Sequence, residues 1–309
     1  MTDDATTPAV AADGSMPLRS GFVAVVGRPN VGKSTLVNAL VGTKVSITSP
    51  RPQTTRNSIR GVANLDDPPA QIVLVDTPGL HRPRTALGSR LNRLVEDSLT
   101  GTDLVAMLLD AIQRVGPGDR MLAQRLAPIA DRVIVVVNKT DMAKPDQIAE
   151  RLAEASGWDF AAYVPISSVT GQGLDALRKE IVSRLPEGPA YFPEGMTTDQ
   201  PDELLAGEII REQYLGRLRE ELPHSLALIV DEITQRTGGT VYVAATVVIE
   251  RQSQKGIVIG KGGSALKAVG EAARTELERL FAAPVYLDLR VRVEPDWQRH
   301  DTLLDRLGF

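Results

Sequence analysis

Residues Gly27 to Thr35 read Gly-Arg-Pro-Asn-Val-Gly-Lys-Ser-Thr, a match to G-x-x-x-x-G-K-S/T, and this stretch constrains the fold more than any other. Such a loop works as the hinge between a strand and the helix that follows it. The flanks fit: Phe22 to Val26 is a short apolar, β-branched run, and Ser34 to Val41 has helical spacing. Gly27 and Gly32 let the backbone approach a phosphate group, with Arg28, Pro29, Asn30 and Val31 forming the loop between them. The N–H groups and the helix N-terminus supply partial positive charge, and Lys33 reaches the terminal phosphates. Ser34 would hold a magnesium ion, and Thr35 completes the motif. A glycine turn with no ligand is the bland alternative, and the strand-to-helix setting argues against it.

From Phe22 to about Leu185, apolar runs alternate with longer amphipathic segments, the pattern of a mostly parallel sheet with helices on both faces. After Phe22 to Val26 the expected strands are Gln71 to Asp76, Asp103 to Asp110, Arg132 to Asn138 and Ala162 to Ile166, with Asn57 to Ala63 as an edge strand. Ligands bind such α/β sheets at the carboxyl ends of the strands, so the polar residues there are the ones that matter. Pro and Gly crowd the region from Pro186 to Pro201 too densely for a helix. The expected division is a tail over 1–20, an α/β domain over 21–186, a linker over 187–201 and a smaller α+β domain over 202–309.

The formal net charge of −4 over 309 residues excludes a protein coated in positive charge, so any nucleic-acid contact must be a local patch. With no cysteine there is no disulfide framework and no thiolate metal site. Residues 1–20 lack the charged start and apolar core of a signal peptide, and no apolar stretch is long enough to span a bilayer. A cytoplasmic protein is expected. His81, His224 and His300 are too scattered for a metal site or a triad.

Three further motifs follow expected strands. In Asp76-Thr77-Pro78-Gly79 a carboxylate can reach magnesium through water, and the Gly79 N–H can sense a terminal phosphate. In Asn138-Lys139-Thr140-Asp141 the Asp141 carboxylate can accept both the N1 and the exocyclic amine protons of guanine, which adenine does not offer there. Sites built around such polar pairs reject the analogue that leaves them unpaired by about four orders of magnitude. Asn138 would tie the pocket together and the Lys139 stem would cover the base. Ser167 and Ser168 end the last strand, where backbone N–H groups would meet guanine O6. In this order the motifs resemble the P-loop GTPase domain of the small GTP-binding proteins, which implies GTP and GDP with Mg2+ as ligands. Lys33 would neutralise phosphate charge. Thr55, with Thr54 as the alternative, would add a second magnesium hydroxyl from a mobile loop over Thr48 to Asn57. Leu80 follows Gly79 where Ras-like enzymes place a glutamine to orient water, so unaided hydrolysis should be slow. Asn30 stands where potassium-activated relatives bind K+.

In the second domain, Val258-Ile259-Gly260-Lys261-Gly262-Gly263 places a G-x-x-G turn between two helices. Such a turn brings backbone N–H groups to a nucleic-acid backbone. Arg251, Lys255, Lys261 and Lys267 flank it without an intervening acid, so salt-sensitive RNA binding is expected at Lys255, Ile259, Gly260, Lys261, Gly262, Gly263 and Lys267. Ile257, Ile259, Leu266 and Val269 would line a groove for unstacked bases or form core beneath it. The element order resembles a type II KH domain.

The succession GRPNVGKST, PQTTR, DTPGLH, NKTD and VIGKGG resembles the Era GTPase family of bacteria from about Gly21 to the end of the chain. That resemblance implies a monomer that binds the 3′ end of 16S rRNA and assists maturation of the small (30S) ribosomal subunit. It also implies some peripheral contact with the cell membrane. A membrane-associated signalling GTPase and an RNA-binding factor with a different target are the rival readings. Asn57 replaces the family's usual His and Ser168 its usual Ala, both expected to leave nucleotide binding intact.

Overall fold

The computed structural model describes residues 17–49, 51, 54–79, 85–218, 222 and 225–307. Packing divides these into two compact units. One holds the residues up to Val45, Ile59–Asp76 and Asp97–Asp199, and the other holds Ser46–Ser58, Thr77–Glu96 and the chain from Gln200 onward.

The first unit is built on six strands: β1 (Arg19–Gly27), β2 (Ile59–Asp66), β3 (Pro69–Asp76), β4 (Leu104–Asp110), β5 (Val133–Asn138) and β6 (Ala162–Pro165). Their order is β2-β3-β1-β4-β5-β6, and every pairing is parallel except that of the edge strand β2 with β3. Both faces of β1 are dry, which requires apolar residues at odd and even positions alike. Val23 and Val25 pack with Leu36 and Leu40 of α1 (Lys33–Val41) and Leu177 and Ile181 of α5 (Leu174–Arg184). Each such buried aliphatic side chain contributes about 1.5–3 kcal/mol. The helices α3 (Pro117–Leu126) and α4 (Pro145–Ser156) complete this unit.

Two expectations are corrected here. Arg19 and Ser20, assigned to the tail, open β1, and Ser20 is buried with its hydroxyl donating to the Pro189 carbonyl at 2.7 Å. The rest of the expected tail, residues 1–16, lies outside the described residues. The expected linker is a strap on the first unit up to Asp199. The buried Gln71 accepts from the N–H groups of Tyr191 (2.7 Å) and Phe192 (2.9 Å) and donates to the Phe192 carbonyl at 2.9 Å. Tyr191 meets Phe22 edge-on, and the Val62 N–H donates to Thr197 at 2.8 Å. Proline and glycine prevent a helix here without preventing an ordered path.

The second unit carries β7 (Ala227–Gln235), β8 (Val241–Ile249) and β9 (Val285–Val293) in that order, β7 antiparallel and β9 parallel to β8. On one face lie α6 (Asp202–Arg217), α7 (Gln252–Ile259) and α8 (Ser264–Phe281), sharing a core of Ile210, Tyr214, Val243, Val247, Val269 and Leu277. A second cluster joins Leu87 and Leu91 of α2 (Ala86–Thr100) to Ala227, Val248, Trp297 and Leu304, the last from α9 (Asp301–Arg306), a helix the sequence reading did not foresee. Arg90 grips that helix through Asp301 (3.1 Å) and Asp305 (2.7 Å).

The described residues among 46–58 and 77–96, expected within the domain over 21–186, therefore pack with the C-terminal elements. The reason is chemical. Thr48 N–H donates to Glu212 at 2.9 Å, Arg51 to the Leu218 carbonyl at 3.1 Å, and buried Arg56 to the Leu226 carbonyl at 2.6 Å, with its guanidinium 5.9 Å from the Trp297 ring. Buried Arg211 bridges Glu208 of its own helix and the Thr54 carbonyl.

Candidate nucleotide and nucleic-acid sites

The loop between β1 and α1 can form only because of its glycines and its neighbours. Gly32 adopts φ 99°, and a Cβ there would lie 2.3 Å from Asn138 Nδ2. Asn138, buried at the end of β5, donates to the Val31 carbonyl at 2.9 Å and accepts from Ser168 N–H (3.0 Å) and Oγ (2.9 Å). One side chain thus joins the loop, the Asn138–Asp141 segment and the end of β6. Lys139, held in the left-handed region, donates to the Asn30 carbonyl and to Asp110 Oδ2, both at 2.7 Å. Arg28 donates to Asp119 at 2.8 Å, and that buried carboxylate also accepts the Gly116 N–H at the head of α3. Burial raises the Asp119 carboxyl, while Gly116 and Arg28 pull it back.

Lys33 is nearly buried, its ammonium donating to the Gly27 and Arg28 carbonyls at 3.1 Å. Burial pushes its pKa down to about 8, against the pull of Asp76. Asp76 is fully buried at the end of β3, and Ser34 stands in the first turn of α1. A carboxylate and a hydroxyl are the oxygen donors a hard Mg2+ takes alongside phosphate and water, so these residues fit the ion. Asp141 is exposed and accepts from Ser167 Oγ at 2.6 Å, which turns the carboxylate while leaving acceptor capacity for a base.

The structure thus brings Gly27 to Thr35, Asp76, Asn138, Lys139, Asp141, Ser167 and Ser168 to one edge of one sheet. Thr55, buried, and Thr77 to Gly79 belong instead to the second unit. Leu80, His81 and His224 lie outside the described residues, as do Pro52 and Gln53. At the expected guanine O6 donors, the Ser167 N–H donates to the Gln172 carbonyl at 2.8 Å and the Ser168 N–H to Asn138 at 3.0 Å. Ser168 is not a peripheral substitute for alanine, since its hydroxyl makes a second bond to Asn138. Asp110 and Asp119 were missed. Asp110 ends an apolar run as Asp76 does and could have been found by the same rule; Asp119 has no such signal.

In the second unit the G-x-x-G turn joins α7 to α8. Gly260 (φ 77°), Gly262 (φ 61°) and Gly263 (φ 81°) are all left-handed, and a Cβ on Gly260 would meet the Ala265 nitrogen at 2.6 Å. Lys261 and Lys267 are exposed and Lys255 is half-buried. Val269 is core, whereas Leu266 lines a groove beside α8, Ile259 is half-buried and Ile257 is exposed.

A P-loop domain with its polar motifs at one strand edge, followed by a G-x-x-G unit of KH form, defines a GTPase that carries a nucleic-acid-binding module. Family models agree: residues 22–139 match the 50S ribosome-binding GTPase family and residues 221–298 the KH domain. The chain is 52% identical to GTPase Era of Mycolicibacterium smegmatis, covering 94% of this chain and 99% of that one. It is 50% identical to the Mycobacterium tuberculosis protein of the same name, covering 94% and 98%. Among solved structures it resembles an Aquifex aeolicus Era variant bound to GDP and AlF4−, with a TM-score of 0.90, 40% identity and coverage of 94% and 99%. It matches equally an Era complex with MgGDPNP and nucleotides 1506–1542 of 16S ribosomal RNA, with a TM-score of 0.91, 40% identity and the same coverage. The chain belongs to the bacterial GTPase Era family.

Proposed function

We propose that this GTPase is a slow, GTP-set switch that binds the single-stranded 3′ end of 16S rRNA through its KH unit and assists maturation of the 30S subunit. The observation that carries this reading is the allocation of residues 46–58 and 77–96. They follow the phosphate-loop helix and the Asp76 strand in sequence, yet Thr48, Arg56 and Arg90 among them bond to Glu212, Leu226 and Asp301 of the unit that carries the G-x-x-G turn. A ligand that reorders those segments necessarily acts on the RNA-binding unit.

Ser34 and Asp76 are the proposed protein oxygens for Mg2+. Thr55 is the proposed hydroxyl added with the triphosphate, and Gly79 the amide that senses it. Magnesium would neutralise charge between the β- and γ-phosphates; Lys33 adds positive charge, Asn138 holds the loop in shape, and Asp141 selects guanine. Potassium at Asn30 is proposed as an activator, and equal turnover in K+ and Na+ buffers of the same ionic strength would remove it. The protein is proposed to act as a cytoplasmic monomer. Among the described residues no helix is long and apolar enough to cross a membrane.

Crosslinking the protein to RNA in cells and sequencing the bound fragments tests the reading directly. Enrichment of the 16S 3′ end is expected, and its absence refutes the ribosomal assignment. Displacement of labelled GDP by GTP but not by ATP is the matching test of the base site.

A further inference from the structure

The sheet of the second unit carries an aromatic pair on the face away from its helices. Val241, Val243 and Ala245 of β8, and Val285, Leu287 and Leu289 of β9, belong to the helix-facing core. Side chains alternate along a strand, so Tyr242 and Tyr286 project from the opposite face. They are register partners across the parallel β8–β9 pair, their rings stacked with centroids 5.9 Å apart and planes 22° apart. At the β7–β8 turn, Arg236 lies 4.0 Å from the centroid of Tyr242 and 5.7 Å from that of Tyr286. Its own backbone N–H donates to Thr240 at 2.8 Å. The Tyr242 hydroxyl donates to Asp288 at 3.3 Å, and Arg290 holds that carboxylate at 2.9 Å. Tyr242 is thus fixed at its hydroxyl and its ring, whereas Tyr286 remains 58% exposed.

Tyr286 also lines a groove of about 380 Å³ between α8 and β9, together with Gly263, Leu266, Lys267, Arg274 and Leu289. Gly263 is the last residue of the G-x-x-G turn, and Lys267 and Arg274 stand along the same groove. Each lies 3.9 Å from an exposed carboxylate of its own helix, Glu271 and Glu278 respectively, of which Glu271 also lines the groove. An exposed aromatic residue of an edge strand, bordering a groove that carries cations on its far side, complements an unpaired nucleotide, which presents a flat base and a phosphate together. Duplex RNA keeps its bases stacked and offers no free face to such a ring.

We infer that Tyr286, backed by Tyr242 and Arg236, is a stacking shelf for an unpaired base of the RNA strand whose backbone meets the Gly260–Gly263 turn. The inference rests on the RNA-binding reading of that turn and adds a residue that fixes where the strand runs beyond it. Stacking on a fixed ring loses little side-chain entropy, so the contact should account for about tenfold in affinity.

The test uses the full chain and a single-stranded RNA dodecamer carrying 2-aminopurine at one position at a time. In the wild type, one position is quenched on binding. Tyr286→Ala is expected to weaken binding about tenfold and to abolish that quenching. Tyr286→Leu, which keeps apolar bulk without a ring, should behave like Ala, and Tyr286→Phe and Tyr286→Trp should retain both affinity and quenching. Unchanged affinity and quenching in the Ala and Leu variants, or equal loss in the Phe variant, overturns the shelf. The double change Lys261→Glu with Gly262→Asp separates the premises: if it leaves RNA binding intact, the reading of the turn itself fails, whatever Tyr286 does.

Discussion

Arg211 offers the most direct measure of how firmly residues 46–58 are held in the second unit. Its guanidinium donates to both oxygens of Glu208, at 2.8 and 2.6 Å, and to the Thr54 carbonyl. The two side chains are 2% and 10% exposed. Arg211→Met keeps the bulk and removes the charge, leaving a buried carboxylate without its hydrogen-bonded guanidinium, at a cost of about 3–5 kcal/mol. A neighbouring charge lowers that figure: the buried Arg56 guanidinium is pushed below its ordinary range by desolvation and then by Arg211 and is drawn back by Glu208, so removing Arg211 relieves one repulsion and leaves Arg56 as a cation in the field of Glu208. The lower end, about 3 kcal/mol, is expected. The double change Arg211→Met with Glu208→Leu removes the orphaned carboxylate too and should leave only about 1–2 kcal/mol, the share of the Thr54 carbonyl.

The assay is built into the chain. Trp297 is buried in the second unit, its indole N–H donating to the Ser225 carbonyl at 3.0 Å, whereas Trp158 lies in the first. In a Trp158→Phe background, urea unfolding followed by fluorescence reports the second unit. A loss of about 3 kcal/mol should move the midpoint by about 1–3 M. Amide exchange at Thr55 and Arg56 should be faster in the double variant even though global stability recovers. A change below about 1 kcal/mol for Arg211→Met, or a double variant no more stable than the single one, would refute the clamp.

Lys33→Met should abolish nucleotide binding yet stabilise the free protein at pH 7. The folded pKa of about 8 lies below the ordinary 10.5, so folding opposes the charged form. That penalty, up to about 3 kcal/mol, is complete below pH 8 and disappears as pH rises from 8 to 10.5. Chemical denaturation of the two proteins at pH 7 and 10.5 checks it, and calorimetry at pH 8 should show uptake of about half a proton on GDP binding by the wild type. Asn138→Ala should cost about 2–3 kcal/mol by stranding the Val31 carbonyl and the two Ser168 donors, and should weaken GDP and GTP alike in a titration. Gln71→Leu should cost about 2 kcal/mol by releasing the strap at Tyr191 and Phe192, seen as faster proteolysis between residues 187 and 199.

The strands, the strand-edge motifs and the G-x-x-G turn were legible because each is written in local residues. Glycines sit where φ is positive, and polar residues fall where an apolar run ends. The hidden features depend on partners distant in sequence. Nothing around Gln71 announces that a glutamine in a β-strand will pin a strap about 120 residues on. Proline and polar residues made Thr48 to Asn57 look like a loop, as they should, but its tethers are α6, the start of β7 and Trp297. Ser168 looked interchangeable with alanine because the contact expected there was a backbone one; its hydroxyl bond to Asn138 exists only once β5 and β6 are side by side.

The division of contacts between the units implies an order of events. The residues proposed to meet the base are tied down inside the first unit: Asn138 to Val31 and Ser168, Lys139 to Asp110 and Asn30, Asp141 to Ser167. A guanine nucleoside would therefore find a formed site and gain affinity without reordering cost. The proposed sensors of the terminal phosphate, Thr55 and Gly79, start from segments that belong to the other unit, the first of them held there through Thr54 and Arg56. A ligand shifts such an equilibrium only by its differential affinity for the two arrangements. If the Arg211 clamp is worth about 3 kcal/mol, a triphosphate must outbid it by contacts that a diphosphate lacks, a factor of about 150 in affinity. GDP, which lacks the γ-phosphate, should leave amide protection at Thr55 unchanged, and a GTP analogue should alter it. The same analogue should lose that effect when Lys33 is replaced and produce it at lower concentration when the clamp is cut.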